Sequence, residues 1–187
     1  MNCSNFCCLV TGSGGGFHFF MIILSWNVRD RLEKRKAVYN PVKRHRPFLL
    51  FIQETKLCCF DLRTFKSLGG SILTRGLGVE AVGSAGGLIT LWKEDFFEVK
   101  AVISNDRCIS VSGFLTESGC EANFCNVYAA NEESSRIEVW KYILNAQASL
   151  NGPGVIVGDF NTVLEMCERN GSVGSLWSMR NFKVFID

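Results

Sequence analysis

Three short apolar runs, each closed by polar residues, constrain the fold of this chain more than any other feature. The runs are Met21–Trp26, Phe48–Ile52 and Val155–Val157. The polar residues that follow them are, in order, Asn27, then Gln53 and Glu54, then Gly158 and Asp159. Short continuous apolar runs bounded by turn residues are typical of strands buried on both faces. The sequence therefore predicts a buried sheet whose strand ends carry polar side chains.

Helical and strand patterns alternate along the rest of the chain. Helices are predicted from Arg31 to about Arg46, from Ser135 to about Leu150 and from Ser178 to Ile186. Further strands are predicted at Gly86–Trp92, Phe96–Ile103, Cys108–Leu115 and Glu121–Tyr128, the last two forming a hairpin. Asp30 with Glu33 and Ser135 with Glu138 predict capping boxes, and Pro41 predicts a kink. The interleaving predicts a layered α/β sandwich with the sheets in the middle and the helices outside.

Composition narrows the class of protein. The 187 residues suffice for one domain, and a net charge of +2 excludes a histone-like polycation. The longest apolar run, Phe19–Leu24, is far shorter than the roughly 20 residues that a membrane span needs, so no membrane partner is predicted. Residues 1–20 contain no Lys or Arg and do not resemble a secretory leader. They are predicted to be a flexible or spurious lead-in before a domain that spans residues 21–187.

The nine cysteines favour a reducing environment. Their number is odd and no C-x-x-C spacing occurs, which disfavours both a disulfide framework and a structural zinc site. Free, mostly buried thiols are the simpler interpretation. The chain is therefore predicted to be intracellular, nuclear or cytoplasmic, and not secreted.

The polar residues at the strand ends offer the chemistry of a metal site. Glu54 and Asp159 are carboxylates, and hard oxygen ligands suit Mg²⁺ or Mn²⁺. Asn27 and Asn161 add neutral amides that can hydrogen-bond a phosphate. In an extended backbone residues i and i+2 point to the same side, so Asp159 and Asn161 are expected to share a pocket while Phe160 turns into the core. Each residue taken singly is also explained as a cap or a turn.

The order of the motifs adds a resemblance. The segments Ser25–Arg29 (SWNVR), Gln53–Lys56 (QETK), Asn126–Ala129 (NVYA) and Gly158–Asn161 (GDFN) follow one another at domain-like spacing. This arrangement resembles the endonuclease/exonuclease/phosphatase superfamily. Among its members the chain is most similar to the endonuclease domain of plant LINE-type (non-LTR) retrotransposons, over about residues 21–187, and with the C-terminal part of that domain missing.

The resemblance implies a four-layer α/β sandwich and Mg²⁺- or Mn²⁺-dependent cleavage of phosphodiesters in DNA. Glu54 is then the metal ligand, and Asn27 lies at the edge between the metal and the phosphate. Tyr128 contacts the scissile phosphate, Asp159 orients or activates the attacking water, and Asn161 binds the phosphate. The resemblance implies no protein partner.

The chain also departs from that pattern. The C-terminal Ser-Asp-His, whose histidine is the general base of the family, has no counterpart, and the two histidines, His18 and His45, lie elsewhere. Weak or no activity is therefore expected. A non-catalytic remnant that only binds nucleic acid stays an alternative, as does a sugar- or lipid-phosphate phosphatase or an abasic-site nuclease of the same superfamily. The basic residues between Lys34 and Arg46 are interpreted as a solvated helix face rather than a nucleic-acid groove.

Overall fold

Two sheets form the centre of the protein. The computed structural model describes residues 5–14, 17–28, 35–83, 85–168 and 175–187. The strands of the first sheet are β1 (Asn5–Gly14), β2 (Phe17–Asn27), β3 (Leu49–Gln53), β4 (Arg75–Val82) and β5 (Ala85–Trp92), in the order β1-β2-β3-β5-β4. Those of the second are β6 (Phe97–Ser104), β7 (Cys108–Leu115), β8 (Glu121–Tyr128) and β9 (Gly154–Asp159), in the order β6-β7-β8-β9.

The described helices connect and cover these strands. They are α1 (Arg35–His45), α2 (Leu62–Gly69), α3 (Glu133–Ala148) and α4 (Leu176–Ile186), with a short 3-10 turn at Met166–Glu168. No helix in the described ranges has the length and apolar character to span a membrane.

Alternation of apolar side chains along the strands builds the layers. In β3, Leu49 and Phe51 point between the sheets, where they pack with Phe124 of the second sheet. Leu50 and Ile52 point the other way, into a core shared with α1 and α2. A third core joins β7 and β8 to α3 through residues such as Val127 and Ile143. The order is helices, sheet, sheet, helix, so the predicted α/β sandwich with two inner sheets is confirmed.

Parallel pairing brings the functional strand ends together. β2 pairs with β3 in parallel, with Asn27 beside Gln53. β8 pairs with β9 in parallel, with Tyr128 beside Asp159. Because parallel strands end at the same edge of a sheet, the polar residues after these strands collect at one end of the sandwich. The predicted hairpin of β7 and β8 is confirmed by their antiparallel register.

The N-terminal segment contains a strand of the first sheet. β1 pairs antiparallel with β2 from Asn5↔Trp26 to Gly14↔Phe17, and β2 begins at Phe17 rather than Met21. A neighbouring strand satisfies the backbone groups along this edge of β2, which would otherwise remain unpaired within the sheet. The domain boundary at residue 21 stays a prediction.

The helix termini also differ from the sequence expectations. Pro41 lies inside α1, which continues to His45, so the helix does not restart there, and the predicted kink stays a prediction. Pro41 removes one backbone donor, and the burial of Val38 and Val42 against the first sheet offsets this loss. α3 begins at Glu133, ahead of the predicted Ser135 cap, and its N-cap residue Glu132 makes no side-chain cap. The capping box predicted at Asp30 and Glu33 lies outside the described residues.

The region between β3 and β5 was not predicted from the sequence. It contains α2, capped by Asp61 through a 2.7 Å hydrogen bond from the Thr64 backbone N–H, and the strand β4. α2 has only eight residues, and two glycines dilute the apolar pattern of β4, so neither gives a strong periodic signal.

Thiol accessibility gives a first prediction. Cys58, Cys59 and Cys167 are exposed, whereas Cys108 and Cys125 are buried, so the expectation of mostly buried thiols is wrong for three of the six cysteines whose side chains the structure describes. A hydrogen bond with the Cys125 thiol and burial raise the pKa of Cys108. Alkylation of the native protein at pH 8, followed by peptide mass spectrometry, is therefore expected to modify the three exposed thiols well before Cys108 and Cys125. Equal rates for both groups before unfolding would contradict this assignment of burial.

Candidate active site

A short hydrogen bond joins the ends of the two sheets. The Nδ2 atom of Asn27, the last residue of β2, donates to Oδ2 of Asp159, the last residue of β9, over 2.5 Å. Asn27 is buried, and Asp159 is partly exposed. Two of the sequence-predicted site residues are therefore in direct contact, and one carboxylate oxygen of Asp159 is fixed by the first sheet.

A turn brings Asn161 to the same carboxylate. The backbone N–H of Asn161 donates to Oδ1 of Asp159 over 2.9 Å, and Asn161 adopts a left-handed backbone with φ of 50°. Its side-chain Nδ2 donates to the carbonyl oxygen of Ala129, just after β8, over 2.6 Å. The expected proximity of Asp159 and Asn161 is thus observed, but the predicted reason is wrong. The strand ends at Asp159, and an Asx-type turn replaces the expected alternation.

Glu54 lies on a strained turn directly after β3. Glu54 and Lys56 have positive φ values of 57° and 54°, which are uncommon for residues with side chains. The turn is held by hydrogen bonds from the backbone N–H groups of Thr55 and Lys56 to the carbonyls of Gly87 and Gly86, at 3.0 and 3.1 Å. Strained backbone concentrates at functional sites, where the surroundings enforce it. The Glu54 carboxylate lies 3.8 Å from Lys56 Nζ.

Gly87 is required for this turn. It has φ of +84°, and a Cβ atom there would lie 2.3 Å from the buried Thr55 Oγ1. Gly87→Ala is therefore expected to lower the free energy of unfolding by about 2–4 kcal/mol, measured by chemical denaturation, because left-handed strain and overpacking add. Gly83→Ala is the matched control, since Gly83 has φ of +64° with no atom within 4 Å of a new Cβ. Equal losses for both variants would show that the contact with Thr55 contributes nothing.

A buried polar network lies beneath the site. Gln53 Nε2 donates to Asn126 Oδ1 over 2.7 Å and to Ser25 Oγ over 3.0 Å. Asn126 Nδ2 lies 3.0 Å from the carbonyl oxygen of Ile89 and 3.2 Å from Thr90 Oγ1. The network connects β8 of the second sheet to three strands of the first. It lies directly behind Asn27 and Glu54. Sequence reasoning did not assign it, although a polar residue inside an apolar strand pattern was a signal for it.

Tyr128 and Arg107 border the site on the second sheet. Tyr128 is 4% exposed, and its backbone N–H donates to the carbonyl of Arg107 over 2.8 Å. The Arg107 guanidinium carbon lies 5.9 Å from the centre of the Tyr128 ring, within the range of a cation–π contact. Tyr128 therefore lies beside Asp159 in the pairing of β8 with β9, and the positive charge of Arg107 lies against the Tyr128 ring.

A polar cavity of about 500 Å³ adjoins Asn161. It is lined by Asn131, Glu133, Arg136, Asn161, Thr162, Ser175, Ser178 and Met179. Arg136 is buried and joins the elements around this cavity, with Nη1 2.6 Å from the carbonyl oxygen of Asn131 and Nη2 2.9 Å from Ser178 Oγ. Ser178 Oγ lies 3.0 Å from Thr162 Oγ1. The loops after β8 and β9 are therefore fixed to α3 and α4.

Comparison with known proteins identifies this arrangement. The family model for the endonuclease/exonuclease/phosphatase family matches residues 24–166. The chain belongs to the endonuclease/exonuclease/phosphatase family. Members of this family are hydrolases that act on phosphodiester bonds. The matched range contains Asn27, Glu54, Asp159 and Asn161.

Solved structures of low identity share the fold of this family member. A variant of the 3′ phosphatase NExo from Neisseria, bound to a product DNA hairpin, is 18% identical, with a TM-score of 0.63 over 89% of this chain and 70% of that one. An AP endonuclease from Archaeoglobus fulgidus is 16% identical, with a TM-score of 0.67 over 88% and 69%. The AP endonuclease LMAP from Leishmania major is 15% identical, with a TM-score of 0.63 over 88% and 65%. The chain thus spans about two thirds of the length of each.

Family members generally use divalent metals. In the described part of this chain no three His, Cys, Asp or Glu side chains cluster as a metal site. Mg²⁺ commonly takes only one or two carboxylates and completes its shell with water and substrate phosphate. The Glu54 carboxylate and the Asn27 amide oxygen supply hard oxygen donors of this kind, so the donor chemistry fits such an ion.

Proposed function

We propose that the chain is a metal-dependent phosphodiester hydrolase that acts on DNA as an endonuclease. The observation that carries this proposal is the contact set at the strand ends. Asp159 is held by Asn27 through one carboxylate oxygen and by the Asn161 backbone through the other. Two hydrogen bonds fix the direction of this carboxylate, as positioning of a reacting group requires.

Each residue has a role in this proposal. Glu54 would hold Mg²⁺ or Mn²⁺, and Asn27 would lie at the edge between the metal and the phosphate. Such an ion supplies charge neutralisation at an anionic phosphodiester. Asp159 orients the attacking water. Asn161 binds the scissile phosphate, and Tyr128 contacts it from the side of β8. The strained turn at Glu54 keeps that carboxylate in place before substrate arrives.

Turnover is proposed to be slow, because neither histidine lies near these residues. His45 is exposed at the end of α1. His18 lies on β2, nine residues before Asn27, and pairs with Ser13 of β1. Nine residues of extended strand span roughly 30 Å, which is the separation of His18 from Asn27. A positioned general base contributes typically 10²–10⁴-fold, and the rate is expected to fall short of a histidine-equipped enzyme by about this factor.

DNA is the proposed substrate class. The Neisseria relative of the same fold is bound to a DNA hairpin, and two others are named AP endonucleases, which favours an abasic-site nuclease as the second candidate. The relationship to plant LINE-type retrotransposons and the missing C-terminal part stay predictions from motif order. A remnant that binds nucleic acid without cleavage is the remaining alternative.

Nicking of supercoiled plasmid tests the proposal. The protein is expected to nick plasmid slowly with Mg²⁺ or Mn²⁺ and not at all with excess chelator. Glu54→Gln is expected to reduce the rate by about 100-fold or more, because it removes the charge of the metal ligand. Glu98→Gln, which changes an exposed glutamate of β6, is the matched control and is expected to leave the rate unchanged. A parallel substrate with a single abasic site separates the two candidate activities.

A further inference from the structure

A large aromatic side chain is exposed beside the polar cavity. Trp177, in the first turn of α4, is 50% exposed. Ser175 and Ser178, on either side of it in the sequence, both line the cavity that adjoins Asn161. Trp177 itself borders a second, open depression of about 540 Å³ with Glu132, Glu133 and Ser134. Glu133 borders both spaces, so the depression adjoins the polar cavity.

The helix that carries Trp177 is held firmly. The Phe182 ring of α4 lies 5.5 Å from Trp140 of α3 and 5.1 Å from Phe160, which follows β9. The Ser175 side chain accepts a hydrogen bond from the Ser178 backbone N–H over 3.2 Å at the start of α4. Trp177 is therefore presented from a packed helix, and its orientation does not depend on a free loop.

We propose that Trp177 forms a nucleobase-stacking subsite next to the site of phosphodiester cleavage. The strand backbone lies along the polar cavity, where hydroxyl and amide groups offer donors to a flanking phosphate, and the adjacent base stacks on Trp177. Base–aromatic stacking suits any unpaired base, because every base has a π-face. This subsite rests on the proposed action on DNA, and it assigns an unpaired nucleotide to the neighbourhood of the scissile phosphate.

The Glu132 and Glu133 carboxylates at the Trp177 depression define the preferred base. Glu132 borders the Trp177 depression and does not line the polar cavity, so its charge repels phosphate from the depression and directs the backbone toward the cavity. A carboxylate accepts a hydrogen bond from an exocyclic amino group, as in recognition of cytosine N4. Cytosine and adenine are therefore favoured over thymine, which has no amino group. The same combination of tryptophan and carboxylates also suits a basic peptide, but the neighbouring polar cavity beside Asn161 favours nucleic acid.

Binding to short single strands tests the subsite separately from cleavage. Fluorescein-labelled oligo-dC and oligo-dT of ten nucleotides are titrated with the full chain in excess chelator, and anisotropy and tryptophan quenching are recorded. Trp177→Ala is expected to weaken binding by about 5- to 150-fold and to abolish most of the quenching. Trp177→Phe is expected to retain most of the affinity. Leu176→Ala, which changes the neighbouring residue at 60% exposure, is the matched control and is expected to change binding by less than about twofold.

The outcomes distinguish the two proposals. Two results would overturn the subsite. One is equal oligonucleotide affinity of the wild type and Trp177→Ala. The other is an arginine-rich peptide that displaces the oligonucleotide, binds with the same affinity and depends on Trp177 for its binding. Glu132→Gln is expected to reduce the preference for oligo-dC over oligo-dT, and an unchanged preference would overturn the assigned base class. Trp177-dependent binding without metal-dependent nicking would instead overturn the proposed hydrolysis and leave the subsite standing.

Discussion

Asn126→Ala is expected to lower the free energy of unfolding by about 3–5 kcal/mol, the largest stability effect of any single substitution considered. Asn126 is fully buried between the sheets. Its removal deprives Gln53 Nε2 of an acceptor at 2.7 Å and the carbonyl of Ile89 of a donor at 3.0 Å. Chemical denaturation followed by circular dichroism measures the loss.

Asn123→Ala is the control for this prediction. Asn123 lies on the same strand and is similarly buried, but its side-chain Nδ2 donates to the loop carbonyls of Asn151 and Gly152, at 2.7 and 3.0 Å. A loss of about 1–2 kcal/mol is expected there. If both variants lost the same stability, the network between the sheets would have no special role in holding the strand ends in register.

Asp159→Asn is expected to reduce the rate of phosphodiester hydrolysis by about 10²–10⁴-fold while the fold stays intact. The amide has the size of the carboxylate but carries no charge and accepts hydrogen bonds through one oxygen only. It cannot accept at once from Asn27 Nδ2 and from the Asn161 backbone, as Asp159 does at 2.5 and 2.9 Å. The nicking rate with saturating Mn²⁺ measures the effect, and the thermal transition checks the fold.

Asp106→Asn serves as the comparison for Asp159. Asp106 lies between β6 and β7, its side chain is 54% exposed, and its carboxylate pairs with the neighbouring Arg107 over 3.2 Å. Its change is expected to leave the rate within about twofold. A similar fall in rate for both variants would indicate a general effect of lost negative charge, and Asp159 would then have no specific role.

The sequence predicted the parts of the fold that follow from hydrophobic pattern. β2, β3 and β9 were recognisable as short apolar runs, and the polar residues after them indicated where a site would form. Asn27 and Asp159 lie in different sheets, and they meet where the end of β2 faces the end of β9 across the sandwich. The mixed sheets and outer helices followed from the interleaving of the two periodicities.

Other parts depend on tertiary contacts that a local pattern does not encode. The left-handed turn at Glu54 exists because Gly86 and Gly87 on β5 allow close approach, and those glycines lie more than thirty residues further along the chain. Buried Asn126 disturbs an apolar strand pattern, and its reason becomes visible only when Gln53 faces it. Arg136, in a helix predicted from the sequence, is a buried link between the loop after β8 and α4.

The metal dependence of plasmid nicking tests the central claim most directly. Initial rates are measured at rising Mn²⁺ concentration for the wild type, Glu54→Gln and Asp159→Asn. The proposed roles predict that Glu54→Gln raises the half-saturating Mn²⁺ concentration by at least about tenfold, whereas Asp159→Asn lowers the saturated rate with little change in metal affinity. Nicking that needs no divalent metal, or the same half-saturating concentration in the wild type and Glu54→Gln, would contradict the assignment of this site as a metal-dependent phosphodiesterase.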